Sequence, residues 1–266
     1  MHHWNRALIT GASSGIGEAI ARRLAHRGTS LVLVARREER LRQLVAEFGG
    51  TGHEVLVADL TDATARDRVA RRLAASAEPI DLLVNNAGFG VAGRFHERTT
   101  DEVQAQLDVL VTTVLELTHA AVPGMVSRGT GGVLNVSSLA ANVPFPGSAV
   151  YNASKAFVSS FSESLHGELA GSGVSILVSE PGLVQTEFQA VAGMVDRVRT
   201  APRWLWLDAD RVARDSLAAL EADDVIHRTA LPYRLATSLT SALPRRLVRR
   251  WVAAIARRSD PNLPRS

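Results

Sequence analysis

Short apolar runs rich in branched residues alternate with longer stretches of helical periodicity. The runs are RALIT from Arg6, LVLVA from Leu31, EVLVADL from Glu54, IDLLVNN from Ile80, GGVLNVSS from Gly131 and VSILVSEPG from Val174. They are apolar throughout rather than every second residue, as expected of strands covered on both faces. Between them lie helical patterns over Gly15 to Arg27, Glu38 to Phe48, Ala63 to Ala77, Asp101 to Ser127 and Tyr151 to Ala170. Strand followed by helix, repeated in this way, predicts a single α/β domain: a doubly wound parallel sheet with helices on both faces. At 266 residues and 46% hydrophobic, the chain is long enough to bury such a core. Residues 1–225 form the catalytic body in this reading. They include an insertion with short helices near 187–207, and a helix over about Ala209 to Ala222 follows. Residues 226–266, with a short strand near VIHRTALPY, are a basic C-terminal extension of the same domain.

Composition removes several function classes. The chain has no cysteine, and its eight histidines show no ligand spacing, so disulfide scaffolds, thiolate zinc sites and a metal enzyme are not expected. The first ten residues, MHHWNRALIT, lack a basic segment followed by an apolar run, and the reading is a soluble cytoplasmic protein. Nine arginines and Asp260 give Ile226 to Ser266 a charge of +8 within a total of +3, so the first 225 residues carry −5. In PRRLVRRWVAAIARR, Pro244 to Arg258, Leu247, Val248, Trp251, Val252 and Ile255 share one helical face among arginines. Two readings stand: contact with an anionic membrane surface, or packing on the body or a partner subunit. Nucleic acid is not an expected partner, because the tract holds a single aromatic residue and no known module.

After the first run comes TGASSGIG, Thr10 to Gly17. Glycines at 11, 15 and 17 permit a tight turn, close approach of a phosphate to backbone N–H groups, and a helix start whose dipole favours an anion. At the end of the second run, Ala35, Arg36 and Arg37 stand where an adenosine ribose would arrive. An acidic residue there would accept the ribose 2′-hydroxyl, whereas an arginine pairs with a 2′-phosphate. Arg36 therefore points to NADP(H) over NAD(H), unless it is an ordinary solvated charge. Further on stand NNAG at Asn85 to Gly88, NVSS at Asn135 to Ser138, YNASK at Tyr151 to Lys155 and PGLVQT at Pro181 to Thr186. Lys155 is the only lysine in a chain whose other basic residues are arginines, and it lies four residues after one of only two tyrosines. On a helix that spacing places the two side chains on one face.

Over roughly residues 5 to 190, these motifs together resemble the classical short-chain dehydrogenase/reductase family. The resemblance implies a Rossmann-type fold, an NADP(H)-dependent oxidoreductase that interconverts a carbonyl and an alcohol, and a homo-oligomer. It also implies roles. Ser138, Tyr151 and Lys155 match the catalytic residues, the last two also contacting the cofactor. Gly11, Ser13, Ser14, Gly15, Ile16 and Gly17 would hold the pyrophosphate, and Asp59 and Leu60 would meet the adenine. Asn86, Ala87 and Gly88 would line the cofactor, with Pro181, Gly182 and Thr186 near the nicotinamide carboxamide.

The chemistry of the trio can be argued from the side chains. A free phenol has a pKa of about 10 and is a poor proton donor or acceptor at neutral pH. A lysine ammonium one turn away, with the positive nicotinamide ring of the oxidised cofactor, is expected to lower that value, and Ser138 to hold the carbonyl oxygen for hydride attack. The substrate would be lined by Val143 to Ala149, Glu187 to Leu207 and the tail, mostly apolar residues that suggest a hydrophobic carbonyl. One departure from the family stands out. Its members carry an asparagine on the helix after NNAG that completes a water-bridged proton relay, and here that position is Leu110. Either a backbone carbonyl suffices for the relay, or the missing side chain is needed to kink the helix.

Overall fold

The computed structural model describes residues 4–50, 52–191, 202–234 and 243–259. Six strands follow the apolar runs: β1 (Arg6–Thr10), β2 (Ser30–Ala35), β3 (Glu54–Val57), β4 (Leu82–Asn85), β5 (Gly131–Val136) and β6 (Val174–Ser179). Two-residue strands β7 (Leu183–Val184) and β8 (Trp206–Leu207) pair in parallel with each other, and β9 (Ile226–His227) comes last. Among the described residues the main sheet has the order β3-β2-β1-β4-β5-β6-β9, with every pair parallel. The extension therefore begins as a sheet strand, with Ile226 opposite Val178 and His227 opposite Ser179.

Burial explains why the apolar runs became strands. Every residue of β1, β4 and β5 is buried, because helices cover both sheet faces, whereas edge strand β3 is only partly covered. Alternate strand residues feed two cores. Ile9, Leu33, Val84, Leu134 and Leu177 pack with α1 (Gly15–His26), α2 (Glu38–Phe48) and a later helix over Ala209–Glu221. Leu8, Val32, Leu83, Val133 and Ile176 meet the other layer, with α3 (Ala63–Ala74) and a long helical stretch over Thr100–Arg128.

That stretch was expected as one helix and is three pieces: α4 (Thr100–Leu107), a π-helical turn over Asp108–Thr112, and α5 (Thr113–Arg128). By length and composition it could cross a membrane, at a mean hydropathy of 1.5, but Leu117, Ala121 and Met125 on its inner face belong to the core. The remaining helices are α6 (Ala149–Glu168), α7 (Phe188–Val191), α8 (Ala209–Glu221) and α9 (Arg245–Ser259). Helix α3 ends three residues earlier than its periodicity suggests, because Ala75 is extended and Glu78 takes a positive φ of 50° ahead of Pro79. Residues 192–201 of the expected insertion lie outside the described residues; what flanks them is α7, a 3₁₀ turn over Arg203–Leu205, and β8. In α9, Val248 and Val252 are buried and Leu247 is exposed. The side chains of Trp251 and Ile255 lie outside the described residues.

Candidate active site

The chain order reverses at β1, whose neighbours are β2 and β4, and the loops leaving their carboxyl ends meet there. Gly11 and Gly15 adopt positive φ of 66° and 58° in the turn after β1. A Cβ on Gly17 would sit 2.4 Å from Asn86 Nδ2 and 2.5 Å from the Gly11 carbonyl oxygen, so glycine is required for α1 to close on its own loop. Asn86 Nδ2 donates to the Thr10 carbonyl at 2.9 Å and the Gly11 carbonyl at 3.3 Å. Thr10 Oγ1 accepts the N–H groups of Asn86 and Ala87, each at 3.0 Å. The NNAG segment is thereby stitched to the glycine turn. Ser14 begins α1 without a side-chain cap, and Thr186 lies across the turn, its Cγ2 3.0 Å from where a Gly15 Cβ would be. Backbone N–H groups at an uncapped helix start over a cradle that any Cβ would fill suit a pyrophosphate.

At the end of β2 the two arginines behave differently. Arg36 is largely exposed, 3.9 Å from Asp59. Burial opposes the charge on Asp59, but the N–H and hydroxyl of Thr61 and the Arg36 guanidinium outweigh it and hold the carboxyl below its ordinary value. Arg37 is drawn onto the glycine turn instead. Its Nη2 donates to Ser13 Oγ at 3.1 Å and to the Ser13 carbonyl at 3.2 Å, while Nη1 pairs with Glu187 at 3.0 Å. Two cations, not Arg36 alone, therefore stand between the end of β2 and the glycine turn. The signal was legible as a second adjacent arginine. Leu60, next to Asp59, is buried, and its carbonyl accepts from Arg66 at 3.1 Å.

Ser138 stands just past β5, where its Oγ accepts the Ala140 N–H at 3.1 Å and starts a 3₁₀ turn over Leu139–Ala141. The same hydroxyl faces Tyr151, on the first turn of α6, near enough to favour its ionised form. Lys155, one turn on, donates from Nζ to the Val136 carbonyl at 2.7 Å and lies 5.8 Å from the Tyr151 ring centroid. Burial pushes the Tyr151 phenol up to about 12, against the Ser138 hydroxyl, and brings Lys155 down to about 8. Without a cofactor desolvation dominates the phenol, and the Lys155 ammonium is engaged with a strand carbonyl. Gly88 sits below this group, where a Cβ would lie 3.0 Å from Leu110 Cδ2 and 3.9 Å from Lys155 Nζ. The Phe188 ring tilts against Tyr151 at a centroid distance of 5.6 Å.

Leu110 is buried inside the π turn. The backbone N–H of Thr113 reaches back to the Asp108 carbonyl, and its hydroxyl donates to the same oxygen at 2.8 Å. One wide turn is therefore built into the helix without an asparagine side chain. Asp108 points elsewhere and accepts from Gln104 at 3.0 Å.

Pro181 and Gly182 follow β6, with the Pro181 carbonyl accepting the Leu139 N–H at 3.1 Å. Gly182 lies against the ring of Tyr233, only 2.2 Å from where its Cβ would be. The Tyr233 hydroxyl accepts the Leu183 N–H at 3.2 Å and donates to the Leu205 carbonyl. It ties the base of the excursion between β7 and β8, and no spacing in the sequence points to it.

A family model described as short chain dehydrogenase matches residues 5–194. The chain belongs to that family. As a short-chain dehydrogenase it is an oxidoreductase, and its relatives carry such names. It is 34% identical over 246 residues to sulfoacetaldehyde reductase 2 of Chromohalobacter salexigens, covering 90% of this chain and 94% of that protein. It is 38% identical over 188 residues to the NADP-dependent 3-hydroxy acid dehydrogenase YdfG of Salmonella typhimurium, covering 69% and 75%. Among solved structures, a short-chain dehydrogenase from Sphingobium yanoikuyae in complex with NADPH superposes with a TM-score of 0.80 at 31% identity, over 90% of this chain and 96% of that one.

Since the π turn is already formed, an asparagine at Leu110 gains no kink and buries an amide. We expect Leu110→Asn to lower stability by about 1–3 kcal/mol, the usual cost of an unsatisfied buried polar group, without raising turnover. Thermal unfolding and steady-state kinetics of the two proteins check this. A faster variant would show that the side chain matters to proton supply.

Proposed function

We propose that this short-chain dehydrogenase interconverts a carbonyl and an alcohol with NADP(H), preferred over NAD(H), and that Ser138, Tyr151 and Lys155 carry the proton chemistry. The observation that carries the reading is the convergence of the Ser138 hydroxyl and the Tyr151 phenol, with the buried Lys155 ammonium one helical turn on and 5.8 Å from the phenol ring centroid. The cofactor would lie along Gly11 to Gly17, Arg36, Arg37, Asp59, Asn86 to Gly88 and Pro181 to Thr186, and when bound it supplies the hydride. Ser138 and Tyr151 direct two hydroxyls at one substrate oxygen. A phenol held near 12 is protonated throughout the neutral range, so it serves as the donor. The proton passes from Tyr151 Oη to the oxygen as the carbonyl carbon is reduced. The ammonium of Lys155 then faces the phenolate left behind.

Val143, Phe145 and Phe188 support a small hydrophobic carbonyl, with Phe188 against Tyr151. A second reading, a small anionic aldehyde or keto acid, is supported by the names of the sulfoacetaldehyde and 3-hydroxy acid relatives. Outward on α5 and α6, Leu115 and Phe161 border a groove of about 680 Å³, and the exposed Phe157 stacks on Phe161 at 5.9 Å; a second copy of the chain is the occupant we propose. Burial of Val248 and Val252 supports packing of the tail on protein rather than on a membrane. We place the enzyme in the cytoplasm.

The deciding experiment is Tyr151→Phe with NADPH against a panel of apolar ketones and small carboxylate or sulfonate aldehydes. Turnover should collapse by at least about a hundredfold, as for loss of a general acid, while quenching by NADPH is unchanged. A binding protein without enzymatic turnover would be inert on the whole panel with Tyr151 intact. Lys155 is charged below about 8 and neutral above it, so kcat/KM for NADPH, which reports the free enzyme, should fall as pH rises through that value. A flat profile to pH 9.5, roughly one and a half units above, would remove the role given to the ammonium. Arg36→Ala and Arg37→Ala should each weaken NADPH by about 1.5–3 kcal/mol, typical of a charge-assisted hydrogen bond, and leave NADH unchanged. Equal loss of both cofactors would mean that neither arginine reads the 2′-phosphate.

A further inference from the structure

Glu180, between β6 and Pro181, is 1% exposed, and its carboxylate has partners on three segments. Oε1 accepts from Ser159 Oγ at 2.7 Å. Oε2 accepts from Asn142 Nδ2 at 2.9 Å and from Arg228 Nε at 2.7 Å. Ser159 follows Tyr151 and Lys155 at successive steps of four along α6, so all three share one helix face. Ser137 Oγ reinforces that face, donating to the Lys155 carbonyl at 2.8 Å and lying 3.0 Å from Ser159 Oγ. Asn142 closes the 3₁₀ turn that Ser138 opens. The same carboxylate thus grips the helix bearing Tyr151 and Lys155 and the loop bearing Ser138.

We infer that Glu180 is a positioning residue, which fixes the Ser138 hydroxyl against the Tyr151 hydroxyl by anchoring Asn142 and Ser159, with Arg228 neutralising it. A buried carboxylate is expensive unless it is paired and fully hydrogen-bonded, and an apolar residue would fill the space at lower cost. What the carboxylate provides is direction: two oxygens, each aimed at a different element. It acts through geometry and not through its field, since burial alone accounts for the lowered Lys155 and the guanidinium of Arg228 cancels the charge locally.

This inference rests on the proposed roles of Ser138 and Tyr151, and the test separates the two. Asn142→Ala removes the anchor of the Ser138 loop while leaving the Glu180–Arg228 pair, and Ser159→Ala removes the anchor of α6. Each should lower kcat roughly tenfold, as for a misplaced catalytic group, with KM for the carbonyl and NADPH quenching within about twofold of wild type. Glu180→Gln should lower kcat further, and adding Asn142→Ala to it should do no more, because both act through one contact. A readout without turnover uses the two tyrosines of the chain. In cofactor-free protein carrying ¹³Cζ-tyrosine, Asn142→Ala should shift the Tyr151 resonance, as Ser138 moves away from it, and leave that of Tyr233 in place. The idea is overturned if Asn142→Ala and Ser159→Ala keep wild-type kcat and an unshifted Tyr151 resonance. It is equally overturned if kcat, NADPH binding and thermal midpoint fall together, which would mean general loosening. If instead Tyr151→Phe retains turnover, the proposed function fails, whatever these variants do.

Discussion

A parallel sheet cannot return on itself by a hairpin, and everything in this molecule follows from that constraint. Each strand needs a crossover long enough to carry the chain back to its start, and the helices that do so cover both faces. All the main-sheet strands then finish on the same edge. Residues far apart in the chain, from the turn after β1, the segment after β4, Ser138 after β5 and Pro181 after β6, arrive together because of this edge. The reversal of strand order at β1 opens the space between them. Chemistry is thus gathered by topology before any side chain contributes.

Two buried ionic groups then give the edge its geometry. Lys155 is enclosed, donates to the Val136 carbonyl and lies close to Gly88. The compact ammonium fits such a space, and burial can move its pKa; a wide guanidinium, always charged, would do neither. That accounts for a single lysine among arginines. Glu180 is the opposite case, a fixed anion whose cationic partner, Arg228, comes from the basic extension. The surplus positive charge of that extension is therefore not all surface: one of its arginines neutralises a carboxylate two segments away from Tyr151.

The fold was legible because burial on two faces leaves a local mark, an apolar run without alternation, and six such runs became six strands. The glycine turn and the Tyr–Lys spacing were legible for the same reason, being contained within a few residues. What escaped was either too small or too distant. A π turn adds one residue to a helix, which a period of about 3.6 does not register, and here it depends on the hydroxyl of Thr113. Arg36 drew the weight in the sequence, but the chain curls so that Arg37 meets Ser13. Tyr233 and Arg228 lie about fifty residues from their partners Leu183 and Glu180, and no periodicity carries information over that range. Desolvation around the phenol was likewise not legible, because the sequence gives the distance along a helix and not what surrounds it.

The residues from Glu180 to Glu187 bring these strands of argument to one place. Glu180 holds α6 and the loop after Ser138, Gly182 receives the Tyr233 ring, Thr186 lies over Gly15, and Glu187 pairs with Arg37. The two carboxylates that bound the segment differ in kind. Glu180 is 1% exposed, and removing one partner of such a pair leaves an uncompensated buried charge. The side chains of Glu187 and Arg37 are 60% and 50% exposed, and a pair of that sort is worth about 0–1 kcal/mol. One end of the segment is therefore fixed to α6 by a buried carboxylate, and the other is tied to the glycine turn only by an exposed ion pair.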